Sequence, residues 1–174
     1  MPVKFEKIMW YDRLRFYDKQ PGLTETPGAD YFTKPLIAEE IKVWQMEELY
    51  SGFQADEKVN IPASLYLPKE FHKLLWYSNG GTIINGDREF DYFSLRGIRY
   101  FYFAYGFPKW APCFLPIAFN GGGVFYAYDF RDTRHIHLVA ASAGNLDYES
   151  AVFIGKTLTE VLGKTTNIED ELYV

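Results

Sequence analysis

The sequence predicts an α+β fold, a mainly antiparallel twisted sheet with helices packed on it, and three patterns carry that prediction. First, Leu67-Pro68-Lys69-Glu70-Phe71-His72-Lys73-Leu74-Leu75-Trp76-Tyr77-Ser78-Asn79-Gly80-Gly81 has a start signal, an apolar face at Phe71, Leu74 and Leu75, and a glycine stop. Second, Thr82-Ile83-Ile84-Asn85, the turn Gly86-Asp87 and residues 89–95 read as a hairpin. Third, Gly121-Gly122-Gly123 turns the chain into an apolar strand over residues 124–130, with Val124, Tyr126, Tyr128 and Phe130 on one face.

The remaining elements follow in chain order. Residues 1–34 form an arm packed on a domain of residues 35–174, together one structural unit. In the arm the alternation Arg13-Leu14-Arg15-Phe16-Tyr17 predicts a short strand, while Gln20-Pro21-Gly22 and Thr26-Pro27-Gly28 are turns. A helix is predicted from Thr33, with Pro35 in its first turn, Glu39 and Glu40 at its positive end, and Ile37, Ile41 and Trp44 as its inner stripe, fading near Tyr50-Ser51-Gly52. In the second helix Lys69, Glu70 and Lys73 are expected to point outward. The aromatic stretch 98–105 reads as strand, as does 135–139. Residues 147–162 read as a long helix, with Ala151, Ile154, Leu158, Val161 and Leu162 on one side and Gly163 as its stop. The acidic tail from Asn167 is expected to fray.

Length and composition bound the function. A chain of 174 residues is one domain with room for a substantial core. Aromatics make up 19%, an excess that fits a β-rich core or a recognition surface. The net charge is -5, and the acid is concentrated in residues 39–58 and 147–174, which repels phosphate backbones and suits a basic partner. Nucleic acid is therefore not expected as a partner. Cys113 is the single cysteine, so no internal disulfide is expected, and its apolar neighbours Pro112 and Phe114 blunt its reactivity. Lys4, Glu6 and Lys7 interrupt any leader-like run and no stretch has bilayer length, so no membrane role and a cytoplasmic location are expected.

No constellation in the sequence compels catalysis. Gly121-Gly122-Gly123 precedes a strand rather than a helix, so it reads as a tight turn and not a dinucleotide cradle. His135 and His137 stand two apart on the expected strand and would share a face, yet no further ligands complete a metal site. They read as a solvent-facing or interface pair, a pH-sensitive contact. Asp87, Glu89 and Asp91 occupy alternate positions and project together from the hairpin; a polar edge explains them better than acid–base work.

Taken in order, these elements resemble the SMI1/KNR4 (SUKH) family over roughly residues 35–162. The matching residues are Leu67, Pro68, Leu74, Asn79, Gly80, Gly81, Leu115, Pro116, Ile117, Gly121, Gly122, Gly123, Asp129 and Phe153, the last on an expected final helix. Val124 departs from the pattern, which more often has a polar or acidic residue after the glycine turn. The resemblance implies a single α+β domain without catalytic residues or cofactor. It further implies a protein partner: bacterial members are mostly immunity proteins that bind a cognate toxin, often a nuclease, and fungal relatives are regulatory interaction proteins. The expected activity is therefore toxin neutralisation by a monomer or weak homodimer, through Asp87, Glu89, Asp91, Tyr92, Trp110, Asp129 and Asp132 at loops and strand ends. The alternatives are a regulatory scaffold without a toxin and a small metal-dependent enzyme.

Overall fold

The computed structural model describes residues 10–44 and 61–173. Among them, seven strands form one open sheet whose spatial order follows the chain, and every neighbouring pair is antiparallel. The strands are β1 (Arg15–Tyr17), β2 (Gly81–Asn85), β3 (Arg88–Tyr92), β4 (Phe114–Phe119), β5 (Val124–Asp129), β6 (His137–Ser142) and β7 (Val152–Gly155). Helices α1 (Ala38–Trp44), α2 (Lys69–Tyr77), α3 (Leu95–Ala104), α4 (Phe107–Trp110), α5 (Leu158–Leu162) and α6 (Ile168–Leu172) complete the α+β fold. The expected fading of the first helix near residue 50 and much of the acidic run 39–58 lie outside the described residues.

Strand register assigns the two faces of the sheet, because successive side chains alternate. Ile83 pairs with Phe90, and Phe90 meets Tyr126 edge-on at 4.9 Å between ring centroids. Phe71 of α2 packs against Tyr92 and Tyr128 on this same face. On the opposite face Phe119 and Phe125 stack at 4.2 Å, covered by Phe101 and Phe107 from α3 and α4 and by Tyr105 between them. The interior strand β5 is therefore buried along its whole length.

Several elements differ from the sequence reading. Residues 98–104 belong to helix, not strand, with Tyr105 its C-cap: Ser94 caps the start of α3 by accepting from Gly97 N at 3.0 Å, and the helix buries Ile98, Tyr102 and Phe103. Aromatic residues favour strands only as a weak prior, which packing overrides. Residues 147–162 are not one helix. Asp147 Oδ1 accepts from Ser150 N in a local turn, β7 then pairs with β6, and Thr157 caps the separate α5 by accepting from Glu160 N. Apolar residues three and four apart also suit a strand that leads into a short helix, so the period alone misled. Phe153 consequently stands on β7, 53% exposed, rather than on a final helix.

At the C-terminus Asn167 accepts from Glu169 N to start α6, and Ile168 is buried, so the acidic tail is packed helix. The first helix begins at Ala38; Ile37 precedes it and is 54% exposed, outside the core stripe that Ile41 and Trp44 do form. α2 ends at Tyr77, with Ser78 extended, and the positive φ of Gly80 and Gly81 serves the turn into β2. Glu70, expected to point outward, turns inward: it accepts from Tyr128 OH at 2.9 Å and from Leu158 N at 3.0 Å, and so holds the start of α5. β6 begins at His137, leaving His135 in the preceding loop.

Buried guanidinium groups tie distant segments together. Arg88 donates to Val161 O, Thr166 O and the Glu171 carboxylate, fixing the α5–α6 segment against β3. Arg99 donates to both carboxylate oxygens of Glu40 and to the carbonyls of Tyr31, Lys34 and Pro35, clamping residues 31–40 on α3. The preceding stretch runs along α2, where Leu23 N donates to Leu75 O at 2.9 Å.

Candidate functional site

The outward side of the β1–β3 segment is built by alternation. With Phe16, Ile83, Phe90 and Tyr92 turned inward, the register sets Arg15, Ile84 and Glu89 in one row and Tyr17, Thr82 and Asp91 in the next. Thr82 Oγ1 donates to Asp91 Oδ1 at 3.0 Å, and Arg15 donates to the Tyr17 hydroxyl, so both rows are linked across or along the strands. Asp87 is exposed at the hairpin tip, its N–H bonded to Thr165 O. This is the one place where Asp87, Glu89 and Asp91 behave as the sequence predicts, projecting from the hairpin.

The face continues into the glycine turn. Asn120, buried at its start, accepts from Gly122 N and Val124 N through Oδ1, while its Nδ2 donates to Asn167 Oδ1 and Glu169 Oε1. Gly121 has φ +84°, and a Cβ there would lie 2.9 Å from the Glu89 carboxylate. Glycine thus does two jobs, taking the left-handed conformation and letting acidic side chains close in from both sides. The result is an acidic rim of Glu89 and Glu169, with Asp91 in the adjacent row of the hairpin. Asn120 and Glu169 were missed in the sequence; an Asn directly before three glycines is the signal for such a side-chain-locked turn.

Gly123 O accepts from Ala143 N at 2.9 Å, which joins the turn to a cleft of about 460 Å³ between Tyr105 and Trp110 on one side and residues 143–147 on the other. Trp110 is 58% exposed at the end of α4, with the Lys109 ammonium 4.8 Å from its ring. Tyr105 and Asp147, the other chemically distinctive lining residues, were not singled out by the sequence because loops far apart in the chain bring them there.

The other expected contacts sit elsewhere. Tyr92 is 3% exposed and donates to Ser78 O at 2.8 Å; burial pushes its hydroxyl well above the usual tyrosine range, and it is a core residue, not a surface contact. Asp129 is likewise a correction, 2% exposed beneath Arg131, which binds it through Nε and Nη2. Asp132 is exposed, but it lies beyond the far end of β5 from the glycine turn, a strand that by its rise alone spans roughly 17 Å. Hydrogen bonds from His135 and then Arg134 hold its carboxyl down to about 2.

The histidine pair does not stand together on one strand, since His135 precedes β6, and each ring has its own acidic partner. His135 Nδ1 meets Asp132 Oδ2 at 3.0 Å, whereas His137 Nδ1 donates to His135 O and its Nε2 faces Asp129 Oδ2 at 3.3 Å. Since the carbonyl takes the Nδ1 proton, Nε2 pairs with Asp129 as a donor only in the imidazolium form. Among the described residues, no group of three or more His, Cys, Asp and Glu side chains is placed to hold a metal ion. Cys113 is half-buried; its N–H donates to Tyr148 OH, whose pKa burial pushes up to about 12. Among the described residues no helix is long and apolar enough to cross a membrane.

The family motif residues have structural work. Leu67-Pro68 opens α2, Asn79 Oδ1 accepts from Leu95 N to orient α3, and Leu115, Pro116 and Ile117 lie in the buried stretch of β4 at its bulge. The model of the SMI1 / KNR4 family (SUKH-1) matches residues 57–164, more than half of the chain. No curated protein matches it.

Proposed function

The chain belongs to the SMI1/KNR4 family (SUKH-1), and from that premise we propose that it is a non-enzymatic immunity-type protein that neutralises a cognate toxin by direct binding in the cytoplasm. Family membership is the observation that carries the reading. The outward face supports it: acids on the hairpin and beside the glycine turn, together with an exposed tryptophan in the cleft joined to that turn through Gly123 and Ala143, are the combination that steers and then anchors a basic protein partner. A nuclease is the favoured toxin class, since its substrate-binding surface is basic and an acidic face competes with nucleic acid for it. Within this proposal Asp87, Glu89, Asp91 and Trp110 are the contacts, with Glu169 beside them; Asp132 stands apart from that patch.

The test is rescue. The protein is co-expressed with the toxin encoded beside it, and cell survival and complex formation are measured. Survival with a co-purifying complex is the expected result. Failure both to bind and to protect against any neighbouring toxin sinks the proposal, and binding to a non-toxin partner instead transfers the chain to the regulatory-scaffold reading.

A further inference from the structure

We infer that the cleft framed by Tyr105, Trp110, Asn145 and Asp147 seats a cationic side chain of the protein partner, an arginine in preference to a lysine. The source of that side chain rests on the immunity reading above; the chemistry of the cleft does not.

An indole face is the strongest aromatic platform for a cation. Trp110 is exposed although it ends a helix whose Phe107 and Pro108 are buried, so its position is not explained by core packing. Its ring already holds the ammonium of the exposed Lys109 at 4.8 Å. That contact involves a strongly hydrated, flexible side chain, and a planar guanidinium is better suited to stack in its place.

The opposite wall supplies the counter-charge. Asp147 Oδ1 accepts from Ser150 N at 2.6 Å, and this backbone bond holds its carboxyl below the usual range, so the group is ionised. Asn145 Nδ2 donates to Ser150 Oγ at 2.9 Å, which leaves its carbonyl oxygen as an acceptor for guanidinium N–H groups. Tyr105 is held against Phe119 and Phe125 at 5.6 and 5.0 Å between centroids, so this wall is set before anything binds. A cleft of about 460 Å³ accommodates an arginine with its flanking peptide. The acidic rim of Glu89 and Glu169, reached across the glycine turn, disfavours an anion and draws the same basic partner.

The probe is a capped Gly-Arg-Gly peptide, titrated against the full chain while the Trp110 indole N–H resonance is followed by NMR; Trp110→Ala assigns that signal. The expected result is a saturable shift, with the citrulline peptide about tenfold weaker, Asp147→Asn about three- to tenfold weaker and Lys109→Gln about threefold tighter, the scale of partly exposed cation–π and ion-pair contacts. No shift, an equal response to citrulline, or indifference to Asp147→Asn overturns the cleft assignment. The toxin assay separates the two proposals. Should Trp110→Ala and Asp147→Asn protect as well as the unaltered protein, the cleft is wrong and Trp110 leaves the set of toxin contacts, while the immunity reading stands. Arginine binding without protection against any toxin leaves the cleft standing and removes the immunity reading.

Discussion

Arg88 and Arg99 each replace lost hydration with several carbonyls and one carboxylate, and this satisfaction is what allows a guanidinium to sit in the interior. Removing Arg88 strips the Val161 and Thr166 carbonyls of their donor and leaves a void in the interior, although Glu171 keeps its bond from Lys164. Arg88→Ala is expected to lower stability by about 3–5 kcal/mol in urea unfolding, with Arg88→Met recovering part of the loss by filling the space. The Glu40–Arg99 pair sets an acid response. The hydrogen bond from Arg99 holds the Glu40 carboxyl below its ordinary 4.5. Its stabilisation is therefore present above that value and lost as the pH falls through the lower, folded-state value. Stability curves of the unaltered protein and Glu40→Gln should converge as the pH drops below 4.5, a comparison made by thermal melts at each pH. Neither partnership was legible in the sequence: nothing local distinguishes Arg88 or Arg99 from an exposed arginine, and Glu70 was misread for the same reason.

Elements were legible where chemistry is local and opaque where it is not. The hairpin of β2 and β3, the core of α2 and the glycine turn carry their own signals, in alternation, in an apolar face and in residues that accept positive φ. α3 and β7 do not, since aromatic and β-branched residues at mixed spacing are compatible with either state until a neighbouring sheet chooses. The path of residues 20–23 along α2 is a further consequence of packing. A Cβ on Gly22 would come 1.8 Å from the Trp76 carbonyl oxygen, which is rigid backbone. Gly22→Ala should therefore push this segment off α2 at a cost of about 1–3 kcal/mol, seen as loss of hydrogen-exchange protection at the Leu23 amide, which donates to Leu75 O. At the other end of the packing scale, Phe107 is fully buried between Tyr102 and Phe125. Truncation to Ala should cost about 3–5 kcal/mol in urea unfolding by leaving a ring-sized cavity.

At the scale of the whole molecule, the sheet divides labour between its ends. β5 and its neighbours are covered on both faces, whereas the β1–β3 segment keeps its outward rows of Arg15, Tyr17, Thr82, Glu89 and Asp91 at least partly exposed. Within the proposed function that segment governs approach, and charge there acts on association more than on dissociation. The double variant Glu89→Lys, Asp91→Lys should slow association with a basic toxin about tenfold at low ionic strength. The difference should shrink as salt is added, measured by stopped-flow mixing. A salt-independent defect would place these acids outside the encounter surface.

By itself the sequence determined the α+β class, the hairpin, the helix after Leu67-Pro68, the glycine turn and the family resemblance, because each is written in residues close together in the chain. It also marked Asp87, Glu89, Asp91 and Trp110 as surface chemistry. Only the tertiary structure decided that Tyr92 and Asp129 are interior, that residues 147–162 split into turn, strand and helix, and that Asn120 and Glu169 lock the glycine turn. It alone set Tyr105 and Asp147 across a cleft from one another. The physical reason is that burial and the meeting of distant loops depend on the assembled sheet, whose long-range contacts no local pattern encodes.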